Sequence, residues 1–60
     1  MIAQALKKHD EAIEILGDIG ARCDLGEAYF ERGLTHLALG KLEQAHEDKR
    51  KAIEIFASSC

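Results

Sequence analysis

Three histidines, His9, His36 and His46, are the side chains best suited to acid–base chemistry or metal binding in this sequence. A zinc-binding His-Glu-x-x-His helix needs a second histidine four positions after His46, where Arg50 stands instead. Neighbouring side chains on a helix point in different directions, so the acidic residues that follow His9 and His46 form no ready-made site with them. With Cys23 far from the histidines in sequence, no four-ligand spacing is present. The sequence therefore predicts no metal site, and a metal-binding protein that uses its histidines is a remote alternative.

Nucleophilic catalysis also lacks the partners that it needs. Cys23 stands near a predicted helix start, but no general base is placed beside it. Gly17 and Gly20 follow no predicted strand, so they do not fit a dinucleotide-binding loop. Two cysteines do not make a disulfide framework, and we expect Cys23 and Cys60 to be free thiols. The sequence predicts neither an enzyme nor a cofactor.

Charge and hydropathy argue against two further classes of function. The net charge is -3 and the isoelectric point is near 5.5, whereas a general nucleic-acid binder needs a basic face. The longest basic run, Lys49-Arg50-Lys51, directly follows Glu47-Asp48, and we interpret the two runs as one solvated helix face. No apolar stretch approaches the roughly 18 residues that span a membrane, and no export signal is present. We therefore expect no nucleic acid, no membrane and a cytoplasmic location.

A repeat with an offset of 40 residues organises the chain. The segment Gln4-Ala5, followed by Ala12-Ile13-Glu14-Ile15, recurs as Gln44-Ala45, followed by Ala52-Ile53-Glu54-Ile55. In each copy the apolar residues share the spacing of one face of a helix with about 3.6 residues per turn. The sequence therefore predicts two equivalent helices, one near each end of the chain, with a third helical stretch between them.

Glycines mark the predicted ends of these helices. The segment Gly17-Asp18-Ile19-Gly20 predicts the end of the first helix, and Gly40 predicts the end of the second. Asp24 and Glu27 resemble a capping box near the start of the second helix. Short connections make sequence neighbours antiparallel. We expect an all-α fold of three antiparallel helices, at about residues 2–17, 22–39 and 41–57.

At these residues the sequence resembles the tetratricopeptide repeat family, over about residues 26–59. The family's pattern is an aromatic residue, then a small residue four positions on, then alanines in the second helix of the pair. Tyr29, Gly33, Ala45 and Ala52 match these positions in order. The offset of 40 residues is longer than the family's usual period of about 34, and it resembles the longer-helix variant of the family.

Four positions depart from the family pattern. Arg32 stands where a leucine is usual, His36 where a tyrosine is usual and Lys49 where a large aromatic residue is usual. The terminal proline is replaced by Ala57. We expect His36 to fill the seam between helices in place of the aromatic ring.

The resemblance implies a right-handed stack of helical hairpins, of which this chain is an α-solenoid fragment. Residues 1–60 then form a single helical-repeat domain, in which residues 1–20 are the second helix of a truncated repeat and residues 21–59 are one helix pair. About three repeats are usually needed to bury the faces of such an array, and Ile15 and Ile55 extend the apolar arc at its two ends. We expect the isolated chain to be a homo-oligomer, and a monomeric three-helix bundle stays open as the alternative.

In this family the first helix of each pair lines a concave groove that holds a peptide or helix, so the resemblance implies a protein-interaction scaffold. The family's clamp of Lys, Arg and Asn for a C-terminal carboxylate is missing here. An acidic and apolar groove favours a basic, partly apolar partner, unless its glutamates are merely solvated. A purely structural, self-associating helical bundle without a dedicated ligand is the other alternative. Carried over by position, the groove face is Glu27, Phe30, Glu31, Leu34 and Leu37. Repeat packing is expected at Ala12, Ile13, Tyr29, Gly33, Ala45, Ala52, Ile53 and Phe56.

Overall fold

The protein folds into three α-helices: α1 (Ile2–Ile19), α2 (Arg22–Ala38) and α3 (Leu42–Ser59). The structure is a computed structural model, and it describes the backbone of residues 2–59 and the side chains of residues 4–58. The all-α class predicted from the sequence is confirmed, and the three helices have nearly equal lengths.

Two turns of identical design connect the helices. Gly20 and Gly40 adopt positive φ angles of 74° and 78°, the left-handed conformation that ends a helix. The amide of Ala21 donates to the carbonyl of Leu16 at 3.0 Å, and the amide of Lys41 donates to the carbonyl of His36 at 2.9 Å. These bonds satisfy carbonyls that the end of a helix would otherwise leave unpaired. The first helix therefore ends at Ile19, two residues later than the predicted boundary, and Gly20 forms the turn that follows it.

The residue after each glycine also begins the next helix. The carbonyl of Ala21 accepts the amide of Leu25 at 2.8 Å, so Ala21 is the N-cap of α2. Among residues 4–58, no side chain caps this helix, and the predicted capping box of Asp24 and Glu27 is wrong. Asp24 instead lies within the first turn, where its negative charge complements the helix dipole.

The helix α2 lies in the middle of the molecule and packs against both neighbours, whereas α1 and α3 do not contact each other over the described residues. The Cα trace is accordingly flattened and measures 29 × 19 × 11 Å. This is an open arrangement and not a closed three-helix bundle, so α1 and α3 each keep an outer face that no helix of the chain covers.

The core between α2 and α3 includes Gly33, Ala52 and Ile55, which are buried. The backbone of α3 lies so close to Gly33 that a Cβ there would stand 3.2 Å from the carbonyl oxygen of Ala45. The prediction that Ile55 extends the outer apolar arc is wrong. Ile55 is three positions after Ala52 and shares the helix face that packs on α2.

Candidate functional site

A charged cluster joins all three helices at the centre of the molecule. The guanidinium of Arg32 on α2 donates two hydrogen bonds to the carboxylate of Asp48 on α3, from Nε at 2.8 Å and from Nη2 at 2.7 Å. Its Nη1 donates to Asp10 on α1 at 2.9 Å. Asp48 is only 3% exposed, whereas the side chain of Asp10 lies at the surface. We call Arg32, Asp48 and Asp10 the Arg32 clasp.

The surroundings of Arg32 hold it in the charged form. Hydrogen bonding to Asp48 is the largest cause that raises the pKa of Arg32; burial opposes it, and the bond to Asp10 adds to the rise. The guanidinium carbon also lies 5.2 Å from the ring centre of Tyr29, which Lys51 Nζ approaches to 5.4 Å. Cations near the face of an aromatic ring are attracted by its quadrupole. The ring of Tyr29 therefore contacts two cationic side chains, Arg32 and Lys51, beside the Arg32 clasp.

The buried position of Asp48 contradicts the prediction of a solvated face for the Glu47-Asp48 run. Asp48 follows Ala45 by three positions and precedes Ala52 by four, so it lies on the stripe that packs against α2. That spacing was a signal for burial. The counter-charge that makes burial tolerable stands on another helix, 16 residues away in sequence, and local charge patterning does not reveal it.

On the side of α2 and α3 away from the clasp, apolar side chains line an open groove of about 190 Å³. Leu34 and Leu37 are each 53% exposed, and Phe30 is also largely open to solvent. Exposed apolar side chains that cluster in a groove are typical of a binding surface, whereas single ones are ordinary. The groove is lined by Phe30, Gly33, Leu34, Leu37, Leu42, Ala45, His46 and Lys49.

A family model described as Tetratricopeptide repeat matches residues 26–58, which is more than half of the chain. The chain belongs to the tetratricopeptide repeat family. No curated protein and no solved structure matches it. Proteins built from tetratricopeptide repeats are in general protein-interaction scaffolds, and this general role extends to the chain.

Of the five residues that the family resemblance places on the groove face, three are brought together in the observed groove. Phe30, Leu34 and Leu37 line it along α2. Glu27 and Glu31 are exposed on the same helix but are not among the lining residues. Sequence reasoning missed the far wall of the groove, which α3 supplies, because a position on one helix does not reveal which side chains of the next helix stand opposite.

The residues expected at repeat packing positions fall into three groups by burial. Ala52 and Gly33 are buried between α2 and α3. Ala12, Ile13, Tyr29 and Ala45 are half-buried. Ile53 and Phe56 remain largely exposed, although the ring of Phe56 lies against Gly26. Packing at Ile53 with a neighbouring repeat stays a prediction, since no helix of this chain covers it.

The three histidines occupy separate settings in this tetratricopeptide repeat. His36 lies beside the clasp, with Nε2 3.5 Å from Asp48, and fills the seam as expected. His9 Nε2 shares a hydrogen bond of 3.1 Å with the hydroxyl of Thr35, which also lies 3.2 Å from the carbonyl oxygen of Glu31. His46 is exposed. Among the described residues, no three histidine, cysteine or acidic side chains are grouped as metal ligands.

Two further sequence predictions concern cysteines and membranes. Cys23 is disulfide-bonded, so the expectation of a free thiol is wrong for this residue. Cys23 lies exposed in the first turn of α2. Cys60, the other cysteine of the sequence, lies outside the described residues.

Over the part of the chain that the structure describes, no helix is long and apolar enough to cross a bilayer.

Proposed function

We propose that the chain is a protein-binding segment of an α-solenoid, in which α1 is the second helix of a preceding, incomplete repeat and residues 21–59 are one helix pair. The two identical turns support this division, because each places a left-handed glycine 20 residues from the other. The central position of α2, between two helices related by the 40-residue offset, supports it too. A cytoplasmic location stays a prediction.

The groove along α2 is the proposed binding site for a peptide or helix. The observation that carries this proposal is the joint exposure of Phe30, Leu34 and Leu37 along one apolar wall, opposite Leu42 of α3. Covering these side chains removes apolar area from water, which contributes roughly 25 cal/mol per Å² before the costs of association. A partner therefore needs an apolar stripe that matches about two turns of α2.

The charges beside the groove indicate which charge its partner should carry. Glu27 and Glu31 are exposed, four positions apart on α2, and flank the apolar wall. Basic side chains on the partner would lie beside them, which favours a basic, partly apolar segment. Lys49 of α3 lines the opposite wall and disfavours a partner that is basic on both sides.

An amphipathic helical peptide made of leucine and lysine is the probe that tests the groove, and its leucine–glutamate counterpart is the matched peptide. We expect the leucine–lysine peptide to bind more tightly, and Leu34→Asp to abolish binding measured by fluorescence anisotropy. The control variant Ile19→Asp introduces the same charge at an exposed residue of α1, outside the groove, and should bind like the original chain. If the Leu34→Asp variant binds each peptide as tightly as the original chain does, the groove is not the binding site.

Self-association is the second candidate function, and a separate observation favours it. Ile15 on α1 and Ile53 and Phe56 on α3 are exposed although none of them lines the groove. A second copy that covers these outer faces would give the homo-oligomer expected from the sequence. A structural bundle without a dedicated ligand would be a closed oligomer of this kind.

A further inference from the structure

The two outer helices are equivalent in sequence but contact α2 through different faces. On α3 the contact face is Ala45, Asp48, Ala52 and Ile55, which are buried or half-buried. At the 40-residue offset, the same face on α1 is Ala5, Lys8, Ala12 and Ile15. We call this second set the α1 edge.

Two residues of the α1 edge, Lys8 and Ile15, are exposed where their counterparts are buried, whereas Ala5 and Ala12 are half-buried. Ile15 is 58% exposed, whereas Ile55 is 9% exposed beneath α2. Lys8 is exposed and forms no ion pair among the described residues, whereas Asp48 is buried against Arg32. The molecule therefore shows, on α3, how a helix packs on this face, and on α1 it leaves the part of the same face around Lys8 and Ile15 exposed.

The charges of the Arg32 clasp are inverted at the open positions. Asp48, which accepts two hydrogen bonds from Arg32, corresponds to Lys8 on the α1 edge. Asp10, which accepts the third, corresponds to Arg50 on the exposed face of α3. Both acids that hold Arg32 are thus replaced by bases in the other helix. A helix that packed on the α1 edge would meet Lys8 where α2 meets Asp48, and a helix on the exposed face of α3 would meet Arg50 where α2 meets Asp10.

We propose that the α1 edge is a docking site for a partner helix that packs as α2 packs on α3 and carries an acidic residue where α2 carries Arg32. The partner needs a small residue directly after the acid, because a Cβ at Gly33 would stand 3.3 Å from the Cβ of Asp48, and Lys8 occupies the corresponding position. The α2 helix of a second copy does not fit, since it would place Arg32 against Lys8 in a site removed from solvent.

This docking site is independent of the proposed groove. It involves α1 instead of the groove wall, and it selects an acidic partner where Glu27 and Glu31 select a basic one. Failure of one proposal leaves the other standing, because their variants lie on different helices.

Two synthetic peptides test the charge rule directly. Both have the sequence of residues 21–40 with Cys23→Ser, and one also carries Arg32→Glu. We expect the Arg32→Glu peptide to bind the full chain about tenfold or more tightly than the peptide that keeps Arg32, as measured by fluorescence anisotropy. Lys8→Asp recreates the charge of Asp48 on the α1 edge and should reverse the preference. Lys7→Asp makes the same change one residue away and should preserve it.

Three results would overturn the proposal. If the Lys8→Asp variant still binds the Arg32→Glu peptide more tightly than the peptide that keeps Arg32, the peptides bind elsewhere. Tighter binding of the peptide that keeps Arg32 by the original chain would make a second copy the better occupant. Binding of neither peptide up to its solubility limit would show that the α1 edge is no docking site.

Discussion

Arg32, which stands where the tetratricopeptide pattern has a leucine, joins the three helices through its ion pairs with Asp48 on α3 and Asp10 on α1. A buried ion pair gains stability only when its geometry is good and its hydrogen bonds are satisfied, since both ions lose their hydration. Here the guanidinium meets the carboxylate through two bonds of 2.7 and 2.8 Å, and a third bond reaches Asp10. The pair therefore fixes the position of α3 on α2 more strongly than it stabilises the fold.

Removing one partner of this pair should cost more than removing both. We expect Arg32→Leu to lower the free energy of unfolding by about 3–5 kcal/mol, because the carboxylate of Asp48 is left buried without its counter-ion. The double variant Arg32→Leu, Asp48→Ala should recover most of that loss. Urea denaturation followed by circular dichroism measures both values.

The matched control for this prediction is Asp10→Asn. The side chain of Asp10 is at the surface, where an ion pair contributes about 0–1 kcal/mol, so the control should change stability little. A double variant as unstable as Arg32→Leu alone would contradict the argument, since it would mean that the lost packing and not the unpaired charge causes the instability.

Single residues were the part of this molecule that the sequence predicted least well. The family positions Tyr29, Gly33, Ala45 and Ala52 could be identified because their types and spacing are local patterns. The partner of Arg32 could not, because an acid within a stripe of alanines is ambiguous until the facing helix is known. The same limit applies to Ile55, whose burial depends on how α3 is rotated against α2.

Among the secondary-structure elements, α2 and α3 are held together by small residues that allow a close approach. At Gly33 the backbone of α3 leaves room for no larger residue without adjustment. The number and order of the helices followed from the 40-residue repeat, and Gly40 was a correct end signal. The first helix was predicted too short because Gly17 resembles a stop, although within α1 it adopts no positive φ.

Gly33→Ala and Gly17→Ala should change stability in opposite directions. At Gly33 the new Cβ meets a backbone carbonyl, so we expect a net loss of about 1–2 kcal/mol despite the better helix propensity of alanine. At Gly17 nothing lies within 4 Å, and alanine should stabilise α1 by about 0.5–1 kcal/mol. Thermal unfolding of the two variants distinguishes these signs. A stabilising Gly33→Ala would mean that α3 moves away freely.

Gly40 should be more sensitive to substitution than its exposed position indicates. Its φ of 78° costs an ordinary residue about 1–2 kcal/mol, so Gly40→Ala should lower the thermal midpoint. Gly40→Asn should lower it less, because asparagine tolerates this conformation. Equal losses for both variants would contradict a conformational cause, since no neighbouring atom lies within 4 Å of a Cβ at this position.

As a whole molecule, the protein is an open arrangement that leaves apolar side chains uncovered on both outer helices. A chain of this length buries a limited share of its surface and is marginally stable by itself. The exposed Ile15 and Ile53 therefore favour association, and stability should rise with protein concentration if copies cover each other.

Molar mass from light scattering after size exclusion tests this expectation over a concentration range of about tenfold or more. We expect a dimer or larger species at the high end, and Ile53→Asp should shift the distribution toward monomer. Ala57→Asp, which adds the same charge at an exposed position without a large apolar side chain, is the control. A monomer throughout the range would exclude self-association and leave the groove and the α1 edge as the surfaces to study.

The short connections, residues 20–21 and 39–41, have a consequence for how this sequence tolerates changes in length. Because Lys41 both closes the end of α2 and opens α3, no slack separates the two helices. Each residue of a helix turns by about 100°, so one inserted residue would rotate everything beyond it by that angle unless the turn unwound. Asp48 would then face away from Arg32, and Ile55 would face solvent. Deletions and insertions at these turns should therefore be far rarer among functional variants than substitutions on the helix surfaces.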